Sequence, residues 1–195
     1  MCGIIFFMNI ANQITVLRII LSFVCIWFIV QDTFVSTLVA FSVFIIASLT
    51  DYFDGFIARK LSLVSDLGKI LDPIADKVLV IGVFVGFLAC DWVNVWVVIV
   101  IMLREFIITS LRFFGLNKGV VIEAKFLGKY KTVSQIVGIV LIFVTILIVK
   151  TSPENAVAVL LSNYIVPFAL WYIILITLYS GFAYLWDNRK VIKTF

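Results

Sequence analysis

The sequence predicts an all-α integral membrane protein of six transmembrane helices, preceded by a short N-terminal interfacial segment. Of its 195 residues 64% are hydrophobic, and the mean hydropathy is +1.24. Soluble domains are roughly 45–50% apolar, so this composition is typical of a membrane protein. Six apolar runs are long enough to cross a bilayer, which takes about 20 helical residues. Most charged residues lie near the ends of these runs, as membrane spans require.

The predicted helices form a single membrane domain over residues 1–195. The chain offers a short interfacial lead-in at 8–11, where Asn12 and Thr15 are expected to cap or polarise the start of the first span. Pro73 is expected in the first turn of the third span, where its missing N–H costs little. Pro167 is expected to separate an outer interfacial piece from the sixth span. The six predicted spans are about 14–30, 33–59, 70–90, 92–114, 126–149 and 164–186.

The placement of Lys and Arg predicts how the chain is oriented. The second–third connection, the fourth–fifth connection and the C-terminal tail hold most of the positive charge, whereas the opposite side offers Lys150 beside several acidic residues. By the positive-inside rule, these connections and both termini face the cytoplasm. The chain is also expected to lie in the plasma (inner) membrane of a bacterium.

The composition also excludes several kinds of chemistry. The chain has no histidine, which rules out Ser-His-Asp and Cys-His catalysis and His-ligated zinc. Cys2, Cys25 and Cys90 are too scattered to suggest a metal site or a disulfide framework. Acid–base chemistry must then depend on carboxylates, Lys, Tyr or Cys.

Four aspartates between residues 51 and 76 form the most informative pattern. Asp51 and Asp54 are three residues apart, and Asp72 and Asp76 are four apart, so each pair lies on one face of its helix. One acidic residue at the middle of a bilayer costs ~3 kcal/mol, so four without partners would cost ~10 kcal/mol or more. Divalent cations such as Mg²⁺ take oxygen ligands and are the natural compensation. Two such ions can clamp a diphosphate.

The complete pattern is D-x2-D-G-x2-A-R-x8-G-x3-D-x3-D. It resembles the pattern of the CDP-alcohol phosphotransferase family, and every fixed position is filled. The resemblance implies that Asp51, Asp54 and Asp72 bind metal, and that Asp76 is a further ligand and the base for the attacking hydroxyl. It implies Mg²⁺ or Mn²⁺ as the cofactor, with two ions, and the family's fold. The positions that it assigns to the cytidine diphosphate moiety are Gly55, Ala58, Arg59 and Gly68.

The start of the chain resembles the first-helix pattern of the same family. Asn12, Thr15 and Arg18 match that pattern, which implies that they also bind the cytidine diphosphate moiety. Ala11 replaces the usual proline before the asparagine. The alternative for Arg18 is a side chain that extends to the membrane surface.

Two further segments resemble the branch of the family that makes phosphatidylglycerophosphate: Arg104-Glu105-Phe106 with Leu111-Arg112, and Gly128-Lys129-Tyr130-Lys131-Thr132. A second anionic substrate needs cationic side chains, and Arg grips phosphate in a bidentate manner. Glu105 is expected to orient one of the arginines. The alternative is that these cations are positive-inside residues or lipid headgroup contacts. The residues expected to bind the acceptor phosphate are Arg104, Arg112, Lys129 and Lys131.

The expected function is transfer of the phosphatidyl group from CDP-diacylglycerol to sn-glycerol 3-phosphate, with release of CMP, in phospholipid synthesis. The same chemistry with inositol phosphate, serine or a lipid as acceptor is the first alternative. An ion-coupled transporter and a prenyl-diphosphate enzyme are alternatives from other classes. Membrane lipids and a second copy of the chain are the expected partners, and nucleic acid is not.

Overall fold

A computed structural model describes residues 10–61, 66–117 and 126–189, and all regular structure in these ranges is helical. The chain groups into two compact units, Met1–Asp91 and Trp92–Phe195. The first contains α1 (Ile10–Val30), α2 (Phe34–Leu61) and α3 (Asp66–Ala89). The second contains α4 (Val95–Asn117), α5 (Phe126–Thr151), α6 (Ala156–Leu160), a π-helical turn (Leu161–Ile165) and α7 (Val166–Asp187).

Two aspartates end helices of the first unit in the same way. Asp32 after α1 has φ 47° and Asp91 after α3 has φ 60°, a left-handed conformation that Asp tolerates better than most residues. The N–H of Asp32 donates to the carbonyl of Ile29 at 3.0 Å, and that of Asp91 donates to Leu88 at 3.1 Å. These bonds satisfy carbonyls at the ends of α1 and α3.

Helix α1 packs against both other helices of the first unit. The thiol of Cys25 donates to the carbonyl of Ala40 at 3.4 Å, which joins α1 to α2. Gly82 and Gly86 let α3 approach α1 closely, because a Cβ on Gly82 would lie 2.6 Å from Cδ1 of Ile26. A Cβ on Gly86 would lie 3.1 Å from Ile29. The two glycines therefore set the register between α1 and α3.

Helix α7 has the same central place in the second unit, where it packs against α4 and α5. Gly138 of α5 lies directly against Ile173 of α7. Nearer the other end of α7, Gly181 lies against the side chain of Arg104 of α4. These contacts fix the level of each helix relative to the other two.

The region around Pro167 differs from the predicted break. The chain stays helical from α6 to α7 through the π-helical turn, in which the N–H of Val166 donates to the carbonyl of Leu161. Pro167 lies at the start of α7, where a missing N–H is tolerated. A wider turn before the proline therefore accommodates it without interrupting the helix.

Two predicted helix starts also need correction. Helix α3 begins at Asp66, so Pro73 and Asp72 lie inside the helix, roughly two turns from its start, and not in its first turn. Helix α1 begins at Ile10, so Asn12 lies within the first helical turn and does not cap it. Of the predicted lead-in at 8–11, residues 10 and 11 belong to α1, and residues 8 and 9 lie outside the described residues. In both cases the helix extends into the polar residues before the apolar run, because their backbone groups also form hydrogen bonds within the helix.

Apolar side chains cover much of the surface of the described helices. Phe168 is 75% exposed and Trp171 65% exposed on α7. The helical stretches Gly128–Thr151 and Ala156–Asp187 are long and apolar enough to cross a membrane, and Thr15–Val30, Phe34–Thr50 and Lys77–Ala89 are shorter apolar stretches. An apolar surface of this extent is typical of contact with lipid or protein. The number of spans and the single domain stay predictions.

Candidate active site

The four aspartates of the motif lie on two helices of the first unit. Asp51 and Asp54 belong to the C-terminal part of α2, and Asp72 and Asp76 to α3. Their side chains are outside the part of the structure that is described. The helical backbone keeps the two spacings of the sequence pattern, three and four residues, on one face of each helix. Four carboxylates are a set of hard oxygen donors, which fits a hard divalent cation.

Thr15 and Arg18 of α1 lie at about the level of the α3 aspartates. Ile26 is level with Gly82 and Ile29 with Gly86, and the two helices run in the same direction. Continued towards the helix starts, this register places Thr15 near the level of Asp72. The side chains of Thr15 and Arg18 are each 1% exposed.

Burial of Arg18 argues against the alternative of a side chain that extends to the membrane surface. A guanidinium inside a helical unit needs polar partners, because burying a charge without them is costly. The other positions assigned to the cytidine diphosphate also lie on helices, and their side chains are outside the described ones: Asn12 on α1, Gly55, Ala58 and Arg59 on α2, and Gly68 on α3.

The second unit contains a largely buried ionic cluster formed by Arg104, Glu105 and Lys131. Nη1 of Arg104 donates to Oε1 of Glu105 at 3.1 Å, and Nζ of Lys131 donates to the same oxygen. The side chains are 13%, 10% and 5% exposed, respectively. Two cations share one carboxylate, so the three side chains together carry one net positive charge. Such a cluster is suited to an anionic ligand.

The predicted acceptor residues therefore fall into two groups. Arg104 and Lys131 share the buried cluster with Glu105, whereas the side chains of Arg112 on α4 and Lys129 on α5 are exposed. Exposed cations at a helix end also suit lipid headgroups or positive-inside anchoring. A role of Arg112 and Lys129 in acceptor binding stays a prediction.

Gly181 of α7 positions the side chain of Arg104. A Cβ on Gly181 would lie 3.2 Å from Cγ of Arg104, closer than a comfortable contact. The Arg104 stem thus lies across the backbone of α7, where a larger residue would displace it. Nε of Arg104 is buried and makes no hydrogen bond to the described part of the chain. This leaves the guanidinium an N–H to offer to a ligand.

Sequence reasoning missed two buried polar residues near this cluster. Gln135 of α5 is 1% exposed and lies one turn from Lys131 of the cluster. Thr177 of α7 is 0% exposed and lies one turn from Gly181, which contacts Arg104. The available signal was their polarity within apolar helices, together with the i,i+4 spacing of Lys131 and Gln135. That spacing places both side chains on one face of α5.

The sequence of the chain is similar to those of a known family of phosphatidyltransferases. The sequence profile of the CDP-alcohol phosphatidyltransferase family matches residues 8–178. The chain belongs to this family. Its members generally use divalent metal ions, which agrees with the carboxylate-rich pattern on α2 and α3.

Several bacterial proteins are similar to this chain over most of its length. A CDP-diacylglycerol–glycerol-3-phosphate 3-phosphatidyltransferase of Bacillus subtilis (strain 168) is 40% identical over 151 residues, which are 77% of this chain and 74% of that protein. The protein of the same name from Rickettsia bellii is 33% identical over 93% of this chain and 96% of its own length. That from Rickettsia typhi is 32% identical over 96% of this chain and 98% of its own.

Proposed function

We propose that the chain transfers the phosphatidyl group of CDP-diacylglycerol to sn-glycerol 3-phosphate, giving phosphatidylglycerophosphate and CMP. One observation carries the proposal. The complete aspartate pattern lies on α2 and α3 in a chain whose relatives of nearly equal length bear the name of this enzyme. The aspartate pattern supports a metal-dependent phosphatidyl transfer, and the names of the relatives support glycerol 3-phosphate as the acceptor.

The first unit provides the donor side of the reaction. Asp51, Asp54 and Asp72 are proposed metal ligands, and Asp76 is proposed as a further ligand and as the base. Two divalent ions, Mg²⁺ or Mn²⁺, would neutralise charge on the diphosphate when bound. Thr15 and Arg18 lie near the level of the α3 aspartates and suit contacts with the cytidine diphosphate moiety. The remaining residues proposed for this moiety are Asn12, Gly55, Ala58, Arg59 and Gly68.

The second unit provides cations for the acceptor phosphate. Arg104 and Lys131 are held by Glu105, so both are oriented before a ligand binds. Preorganised charges lower the cost of binding and of reaching the transition state. Asp76 then accepts the proton of the acceptor hydroxyl, the hydroxyl oxygen bonds to the donor phosphorus, and the bond from that phosphorus to CMP breaks. Arg112 and Lys129 are proposed to complete the phosphate-binding set.

The proposed membrane arrangement follows the sequence. Six spans cross the plasma membrane, and both termini and the aspartates face the cytoplasm. The apolar surface of the described helices and the two long apolar stretches support membrane insertion. A homodimer stays a prediction that rests on family resemblance alone.

Release of CMP by the purified protein tests the function directly. The protein is supplied with CDP-diacylglycerol, Mg²⁺ and one acceptor at a time: glycerol 3-phosphate, inositol phosphate, serine or a lipid alcohol. We expect glycerol 3-phosphate to support release of CMP with a kcat/KM well above that of the others. Preference for another acceptor would keep the chemistry and overturn the acceptor. Lack of CMP release with every acceptor would favour the transporter alternative.

A further inference from the structure

Two of the buried side chains of the second unit that carry polar atoms without hydrogen bonds, within the part of the chain that the structure describes, lie close to the ionic cluster. They are Gln135 on α5, 1% exposed, and Thr177 on α7, 0% exposed. The atoms concerned are Nε2 of Gln135 and Oγ1 of Thr177. A buried donor or hydroxyl without a partner destabilises the folded protein. Both groups would therefore gain from a polar ligand.

The packing of α5 on α7 brings these two residues to the same level. The two helices run in opposite directions, and Gly138 of α5 lies directly against Ile173 of α7. Gln135 comes three residues before Gly138, and Thr177 comes four residues after Ile173. In antiparallel helices these steps lead in the same spatial direction by about one turn, along the face that makes the contact.

The same register places the ionic cluster one turn further on. Lys131 is four residues before Gln135 and bonds to Glu105, and Gly181 is four residues after Thr177 and contacts Arg104. Gln135 and Thr177 thus form a neutral polar pair about one helical turn, or ~5 Å, from the largely buried cations Arg104 and Lys131. A ligand that contacted both the cations and the neutral pair would need an anionic group at one end and an uncharged polar group near it.

We propose that Gln135 and Thr177 bind the C2 hydroxyl of the acceptor while Arg104 and Lys131 hold its phosphate. This inference rests on the proposed function. The Gln135 amide nitrogen donates, and the Thr177 hydroxyl both donates and accepts, which matches the hydrogen-bonding capacity of a hydroxyl. Neither side chain is charged, so the pair suits a hydroxyl better than a second phosphate. Gln135 and Thr177 therefore select glycerol 3-phosphate over phosphates that lack this hydroxyl.

The test compares two acceptors that both retain the attacking hydroxyl. Glycerol 3-phosphate has the C2 hydroxyl, and 3-hydroxypropyl phosphate does not. A site built to bind a hydroxyl discriminates strongly against an analogue without it. We expect the wild-type protein to prefer glycerol 3-phosphate in kcat/KM. Thr177→Val and Gln135→Met should each reduce that preference, on the order of tenfold.

Thr145 of α5 supplies the matched control. It is also 0% exposed, but its hydroxyl donates to the carbonyl of Leu141 at 2.8 Å on its own helix. Thr145→Val makes the same chemical change and should leave the preference between the two acceptors as it is in the wild type. Thr177→Ser keeps the hydroxyl and should retain most of the preference.

The preference of the variants for glycerol 3-phosphate decides whether Gln135 and Thr177 bind the C2 hydroxyl. An unchanged preference in both Thr177→Val and Gln135→Met would overturn the inference and assign the pair to water or packing. If the variants lose all turnover, the thermal stabilisation of the wild-type and variant proteins by glycerol 3-phosphate and by 3-hydroxypropyl phosphate decides the question. A difference between the two compounds that is the same in the variants as in the wild type would overturn the inference, and a difference that the variants lose would support it. A wild-type protein that does not use glycerol 3-phosphate at all contradicts the proposed function instead.

Discussion

Glu105 of α4 accepts a hydrogen bond from Nζ of Lys131 of α5, and the same carboxylate oxygen accepts one from Nη1 of Arg104. A single anion thus holds two cations that come from different helices. Removing it would free both cations at once and leave their charges buried together. Binding of the acceptor phosphate by Arg104 and Lys131 therefore depends on Glu105, although Glu105 is itself an anion.

Glu105→Gln should destabilise the protein and lower acceptor affinity. Losing one member of a buried ion pair costs about 3–5 kcal/mol, because a buried charge stays behind. We expect a lower midpoint of thermal unfolding in detergent and a higher KM for glycerol 3-phosphate. The double variant Glu105→Gln with Lys131→Met removes charges of both signs and should recover part of the stability. A single variant as stable as the wild type would contradict this account.

Arg104→Gln and Lys131→Met should weaken use of the acceptor. Loss of one charge-assisted contact costs ~1.5–3 kcal/mol, roughly a tenfold to hundredfold loss in kcat/KM. The loss should appear in the kinetics of glycerol 3-phosphate, with the KM of CDP-diacylglycerol changed far less. Arg112→Gln tests the exposed group in the same assay. Lys150→Gln, at the other end of α5, is the matched control and should behave like the wild type.

If the variants at Arg104, Lys131 and Arg112 weakened both substrates equally, or neither, the acceptor pocket would be wrong. These cations would then return to the role of positive-inside anchors. A loss at Arg104 and Lys131 without one at Arg112 would restrict the pocket to the buried cluster.

Gly181→Ala should displace Arg104 without removing any charged or polar group. The added Cβ would lie 3.2 Å from Cγ of Arg104, so the side chain must shift by a few tenths of an ångström. We expect a several-fold rise in the KM for glycerol 3-phosphate with little change for CDP-diacylglycerol. A KM for CDP-diacylglycerol that rises as much as the KM for glycerol 3-phosphate would reduce Gly181 to a packing residue.

Asp51→Asn, Asp54→Asn and Asp72→Asn should each abolish turnover while the protein still inserts and folds. Each removes a charge from the donor set that suits a divalent cation, so the affinity for Mg²⁺ should also fall. CMP release and Mg²⁺ titration measure the two effects. Asp91→Asn is the control, since Asn tolerates the left-handed turn that Asp91 adopts with φ 60°. Near-normal activity of any of the three variants at saturating Mg²⁺ would count against the metal site.

The orientation in the membrane is testable with single cysteines in a variant that lacks the native ones. Because Lys and Arg flank the connection between α2 and α3, a cysteine at Ser62 should be protected from an impermeant thiol reagent in intact cells. A cysteine at Ser152, which is exposed after α5, should be labelled on the opposite side. Labelling at Ser62 but not at Ser152 would reverse the predicted topology.

The periodicity and spacing of the sequence predicted much of the fold. Each predicted apolar run overlaps a helix of the structure, because a run of this length that must satisfy its own backbone hydrogen bonds forms a helix. The helix ends were predicted less well. Asp66 starts α3 well before the apolar run begins, and a π-helical turn carries the chain past Pro167. Backbone hydrogen bonds at the helix ends decide these boundaries, and hydropathy carries no information about those bonds.

The sequence by itself determined the family and predicted a metal-binding role for the aspartates, because Asp51, Asp54, Asp72 and Asp76 are related by spacings along the chain. Only the tertiary structure decided which of four similar cations are shielded from solvent, and that Glu105 holds two of them. It also brought Gln135 and Thr177 to one level. These relationships depend on the register of packed helices, which small contacts such as those at Gly138 and Gly181 fix. Residues far apart in sequence meet only through that register, so no local pattern encodes them.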